Sequence, residues 1–153
     1  METSKHFKTE RPAISRAVLL LRLALSATFF SAVFSRLGLW GTQSSGWEPF
    51  LEYTAQVNSF APSVVIPLFA VAATVLETVV ATLLLLGYKT QAAAYLAALL
   101  TLIFGLAMAY SFGIKSPLDY SVFADCAAAF LLAETASNGA WSLETYLTNR
   151  CVN

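Results

Sequence analysis

The sequence predicts an all-α, polytopic membrane protein: a four-helix transmembrane bundle, an amphipathic helix in the first outer loop, and both termini in the cytoplasm. Three observations carry that expectation. Hydrophobic residues make up 58% of the 153 and charged residues 12%, with mean hydropathy +0.66, which leaves too little polar surface for a water-facing domain. The apolar residues gather in four runs, each near the ~20 residues a helix needs to cross a hydrocarbon core. The basic residues favour one set of run ends, the pattern of cytoplasmic loops.

Taken in order, residues 1-13 read as a cytoplasmic tail, 14-136 as the transmembrane domain and 137-153 as a cytoplasmic C-terminal segment. The first run, Ile14 to Leu39, is too long for a secretory signal peptide, is interrupted by Arg22 and is followed by further spans. Val64 to Gly87 and Thr90 to Phe112 form the next two, joined by a tight turn carrying Lys89. Tyr120 to Ala136 is the shortest and carries Asp125, so it is the least secure span. Lys5, Lys8, Arg11 and Arg16 before the first run, Lys89, and Arg150 in the tail define the inner side, and Gly41 to Ser63, with Glu48 and Glu52 but no Lys or Arg, the outer.

Within that outer loop Pro49 can open a helix, and Phe50, Tyr53, Thr54 and Val57 recur at helical spacing. A helix lying along the membrane surface follows. Trp40 and Trp47 fit an aromatic belt on this side, and Tyr88, Trp141 and Tyr146 one on the other. Helices in lipid meet through small residues, because lipid tails offer no hydrophobic drive between them. Ala94, Ala98, Thr101, Gly105 and Ala109 form one such stripe, and Ala70, Ala73, Thr74 and Ala81 flank Glu77 on another.

Arg22 and Glu77 stand in the middle of apolar runs, where a charge costs roughly 2.5 to 3.5 kcal/mol on insertion scales and so turns inward to a partner. Counted from the cytoplasmic ends of their runs at 1.5 Å per residue, the two lie within roughly 3 Å of one height. The expectation is a pair. Arg36 returns near the face of Arg22, with Ser26, Phe29 and Val33 between, and comes level with Asp125. Two ionic layers are therefore expected, Arg22 with Glu77 and Arg36 with Asp125. Such layers either lock helix register or line a polar cavity for a quinone head group, a proton or a small substrate. Glu134 reads as a snorkelling surface charge.

The chain resembles the DoxX family. The residues that carry the likeness are Leu20-Leu21-Arg22-Leu23-Ala24-Leu25, Ser35-Arg36-Leu37, Glu77, Leu83 to Gly87, and Trp141-Ser142-Leu143-Glu144. The resemblance implies a four-helix bacterial inner-membrane protein linked with redox systems, among them thiosulfate-to-quinone electron transfer, methylamine utilisation and thiol-oxidant defence. It maps the family's helix-one Arg and helix-two Glu onto Arg22 and Glu77, and a basic residue, often Lys, onto Arg36. Where the family often has a His near the end of helix three, this chain has Tyr110 and Ser111. Glu144 stands where an Asp is usual.

The chain shows no phosphate-binding glycine loop, metal-ligand spacing or CxxC pair, and zero net charge with no basic patch argues against nucleic acid. His6 reads as a solvated tail residue. Cys126, in an apolar run, reads as an inert small hydrophobe that cannot pair with Cys151 in the tail. Two readings stand. One is an accessory membrane subunit, rather than an autonomous enzyme, of a quinone- or thiol-linked oxidoreductase system, with a soluble or membrane redox partner. Its polar core would be Arg22 and Glu77, and its polar mouth Arg36, Asp125 and Tyr110. The other is a non-catalytic binding, transport or scaffold module for a small amphipathic molecule or a partner protein. Small residues on the lipid face permit a homodimer.

Overall fold

The computed structural model describes residues 12–136 and 143, and every regular element among them is helical. Helix α1 spans Pro12–Arg36, α2 Trp47–Val57, α3 Ile66–Leu86, α4 Thr90–Phe112, α5 Lys115–Asp119 and α6 Val122–Thr135, with single 3-10 turns at Gly41–Gln43 and Ser63–Val65. Three helices are long and apolar enough to cross a membrane, and they are α1, α3 and α4. Helix α6, at 14 residues, is about 21 Å long at 1.5 Å per residue, short of the ~30 Å of a typical hydrocarbon core. The lysines of the tail and residues such as Trp141, Glu144, Tyr146, Arg150 and Cys151 lie outside the described residues.

The long helices run antiparallel. Between α1 and α3 the register is fixed by Ser26, 1% exposed, whose hydroxyl donates to the Ala81 carbonyl at 2.8 Å. Of the stripe on α4, Ala94, Ala98, Thr101 and Gly105 are buried and Ala109 is half-buried, with Ala97 buried beside them. A Cβ built on Gly105 would lie 3.0 Å from Phe123 Cε1 and 3.3 Å from Val122 Cγ1, so the missing side chain lets the start of α6 close onto α4. Leu25, Phe29, Val80, Leu84, Ala129 and Leu132 fill the space between the helices. The outer faces remain apolar and exposed, as at Leu68, Val75, Val79, Leu99, Ile103 and Leu106, which suits lipid tails as the surrounding medium.

The turn between α3 and α4 forms at Gly87, φ 67°, a left-handed conformation that costs a residue with a Cβ. Its N–H donates to Leu84 O and that of Tyr88 to Leu83 O, satisfying the last carbonyls of α3 in a Schellman motif. The bundle has two ends. The proximal one holds this turn and the start of α1; the distal one holds α2 and α5.

The amphipathic helix expected in the first loop is present as α2, with Thr54 and Val57 buried and Glu48 and Glu52 exposed. It is fastened at both ends. The Gly46 N–H donates to Ser35 O and the Ser45 N–H to Ser35 Oγ, while Ser111 Oγ donates to Val57 O at 2.6 Å. Val57 packs on Ala107 and Met108 of α4, with Val122 of α6 against them.

Candidate functional site

Arg36 is the last residue of α1, and Glu77 lies midway along α3, 2% exposed. The two charges meet. Arg36 Nη1 lies 2.7 Å from Glu77 Oε2, and Nη2 donates to Oε1 at 3.1 Å, a two-point geometry that suits a planar guanidinium. Nη1 also reaches Thr74 Oγ1 at 3.4 Å, one turn from Glu77. From α2 the Phe50 ring lies over the guanidinium, 4.0 Å from carbon to centroid, in a cation–π contact. The Ser35 and Ser45 links that return the chain over the end of α1 are what put Phe50 there.

This corrects both expected layers. Glu77 is taken by Arg36, not by Arg22, and Arg36 turns to Glu77 and Thr74 of α3 rather than to Asp125 of α6. With Ser26 level with Ala81, an antiparallel count sets Arg22 beside Leu85 and Arg36 beside Val71. At 1.5 Å per residue, Glu77 is then about 12 Å from the level of Arg22 and about 9 Å from that of Arg36. Direction closes the second gap and widens the first. Side chains on a helix tilt toward its N-terminus, so both arginines of α1 lean proximally and Glu77, on the antiparallel α3, leans distally. Arg36 leans toward Glu77, and Arg22 leans away. The sequence-based depth placed the starts of α1 and the α3–α4 turn at one level, whereas the register sets Leu20 beside Gly87 and carries the first turns of α1 past it.

Arg22 is buried at 5% and is engaged by contacts of its own. Asp125 sits half-buried in the first turn of α6, where the positive end of the helix dipole favours a carboxylate. Tyr110 is 73% exposed and packs edge-on against Phe60, with ring centroids 5.5 Å apart, so it faces out from the bundle. The Cys126 thiol donates to Ala98 O at 3.3 Å. Glu134 is an exposed carboxylate that accepts from the Tyr95 hydroxyl.

Beside the ion pair a cleft of about 260 Å³ opens between α1 and α2, lined by Ala32, Ser35, Arg36, Ser45, Pro49, Phe50 and Tyr53. Most of its wall is apolar. Its polar groups are the guanidinium, two serine hydroxyls and the Tyr53 phenol. Burial, and then the neighbouring Tyr120, push the Tyr53 pKa upward, so this phenol keeps its proton as a hydrogen-bond donor. Arg36 carries more N–H donors than Glu77 and Thr74 use. Such a cleft can seat a small flat head group by stacking and hydrogen bonding, and no group of three or more metal-ligating side chains lies together among the described residues.

Sequence reasoning named Arg36 and Glu77 but missed that they are partners, and it left Phe50, Ser35 and Ser45 out of the site. The tilt of side chains toward the helix start, applied to the antiparallel pair, was the available signal. A comparison with protein families matches the DoxX model over residues 17–110, a stretch that includes Arg22, Arg36 and Glu77. No curated protein and no solved structure shows a match.

Proposed function

Because the chain belongs to the DoxX family of membrane proteins, we propose that it is an accessory membrane subunit of a quinone- or thiol-linked oxidoreductase system, with the distal cleft as a binding site for a quinone head group. The observation that carries this reading is the Arg36–Glu77 pair set beside a largely apolar cleft under the Phe50 ring. The residues suit the group. A quinone has a flat ring that stacks on Phe50 and carbonyl oxygens that accept from Arg36 and the Tyr53 phenol. When bound, the quinone supplies the redox chemistry, and the chain holds and orients it. Glu77 keeps the guanidinium in position. The thiol arm is weaker at Cys126, whose S–H is turned to a backbone carbonyl.

We place α6 as a fourth, short crossing in a bacterial inner membrane, with both termini cytoplasmic. Supporting this, α6 finishes at the end where α1 begins, as the Tyr95–Glu134 contact near the start of α4 indicates. The exposed Lys89 of the proximal turn and Glu48 and Glu52 of α2 follow the charge rule.

The test is direct. Protein purified in native lipid particles is extracted, and its quinone content is read by the oxidised-minus-reduced absorbance difference. Retained quinone that is lost when Ser45→Trp fills the cleft supports the reading; quinone-free protein under every lipid condition contradicts it. A non-catalytic binding, transport or scaffold module is the second reading, favoured by the closed ion pair, in which each charge already neutralises the other. It predicts that amphiphiles without a redox-active ring compete equally well.

A further inference from the structure

We infer that the cleft is filled sideways from the bilayer, and that its ligand is a tailed, lipid-dissolved amphiphile of which only the head enters. This rests on the cleft being a binding site, as proposed above, and adds the ligand's class and its route.

The first observation is depth. Helix α3 has 21 residues, about 31 Å at 1.5 Å per residue, which matches a hydrocarbon core of ~30 Å. Arg36 lies beside Val71, five residues inside the distal end of α3 at Ile66, or about 7 Å below it. The cleft wall that Arg36 and Ala32 provide therefore sits within the depth of the acyl chains. Elsewhere in the bundle α6 also stops short: its first turn lies beside Gly105, about 10 Å below the distal end of α4 at Phe112, with the short α5 packed on α4 beyond it. Helices α1 and α6 thus both end below the distal ends of α3 and α4.

The second observation is the roof. Over the truncated ends lies α2, its Glu48 and Glu52 exposed and its Phe50, Thr54 and Val57 turned toward the bundle. Both of its ends are pinned by buried or half-buried backbone carbonyls, through Gly46 to Ser35 at one and Ser111 to Val57 at the other. A roof held at both ends lies between the end of α1 and the aqueous side.

The third is size. At about 260 Å³, the cleft is smaller than the ~300 to 1,000 Å³ of typical ligand pockets. It takes a ring and its substituents, and any larger part of a ligand must lie outside it. At this depth, outside means among the lipid chains.

The experiment needs no ligand, so its failure is distinguishable from failure of the quinone reading. In the full chain with Cys126→Ala and Cys151→Ala, a nitroxide is attached at Ala32→Cys in lipid vesicles. Collision with oxygen, which concentrates in lipid, is compared with collision with a water-soluble nickel chelate. Val75→Cys, exposed on the apolar face of α3, and Glu52→Cys, on the charged face of α2, give the two references. The expected oxygen-to-nickel ratio at position 32 lies nearer that of Val75. A ratio matching Glu52 would show a water-filled cleft and overturn the inference. Should Ala32→Cys not fold, Ser35→Cys on the same α1 wall gives the same reading.

Discussion

At the scale of single residues, the polar centre is a three-part assembly of guanidinium, carboxylate and aromatic ring. Glu77→Gln leaves Arg36 charged and largely buried, 13% exposed, and breaking one partner of such a pair costs about 3 to 5 kcal/mol. Thermal unfolding in detergent should show a marked fall in midpoint, and an unchanged midpoint would mean the pair contributes nothing to the fold. Arg36→Met with Glu77→Leu should recover much of that loss, since a buried pair replaced by apolar groups of similar volume is often neutral. Phe50→Leu keeps an apolar cover over Arg36 but removes the ring, so it should cost about 0.5 to 2 kcal/mol in the same assay. The identities of the buried charges were legible in the sequence, because Glu77 and Arg22 interrupt apolar runs. The partnership of Glu77 with Arg36 was missed, because it depends on how far α1 slides along α3 as well as on the lean of each side chain.

Among the elements, α4 and α6 depend on Gly105. Gly105→Val forces branched carbons onto Phe123 and Val122, with the first added atom already 3.0 Å from Phe123 Cε1, and overpacking of this kind costs about 1 to 3 kcal/mol. A shorter residue in the second-site variant Phe123→Ala should restore part of the lost thermal stability; no recovery would place the strain elsewhere. Gly87→Ala puts a Cβ in a left-handed conformation and should cost about 1 to 2 kcal/mol, read as a lower unfolding midpoint. The three long helices and α2 were legible from apolar length and from the spacing of Phe50, Thr54 and Val57. The fourth run, Tyr120 to Ala136, gave a slightly shorter helix, because the chain turns at Ser121, φ 56°, before α6 begins beside Gly105.

For the whole molecule, a consistent picture needs lipid on the outside and the buried Arg36–Glu77 assembly toward the distal end of an antiparallel bundle. In intact cells a membrane-impermeant maleimide should label Glu52→Cys from outside and Lys89→Cys only after lysis; the reverse pattern would invert the proposed orientation. Membrane character and family were legible from composition and from the order of short motifs. The cleft was not, since it arises where α1 ends below the distal end of α3 and α2 folds back over it, a property of register rather than of any run of residues. That register is what the Arg36–Glu77 pair clamps, and a double-mutant cycle on unfolding free energy measures it most directly. With Arg36→Gln, Arg22→Gln and Glu77→Gln combined pairwise, Arg36 and Glu77 should couple by about 1 to 3 kcal/mol, whereas Arg22 and Glu77 should add within about 0.5 kcal/mol. Strong coupling of Glu77 to Arg22, with none to Arg36, would contradict the account.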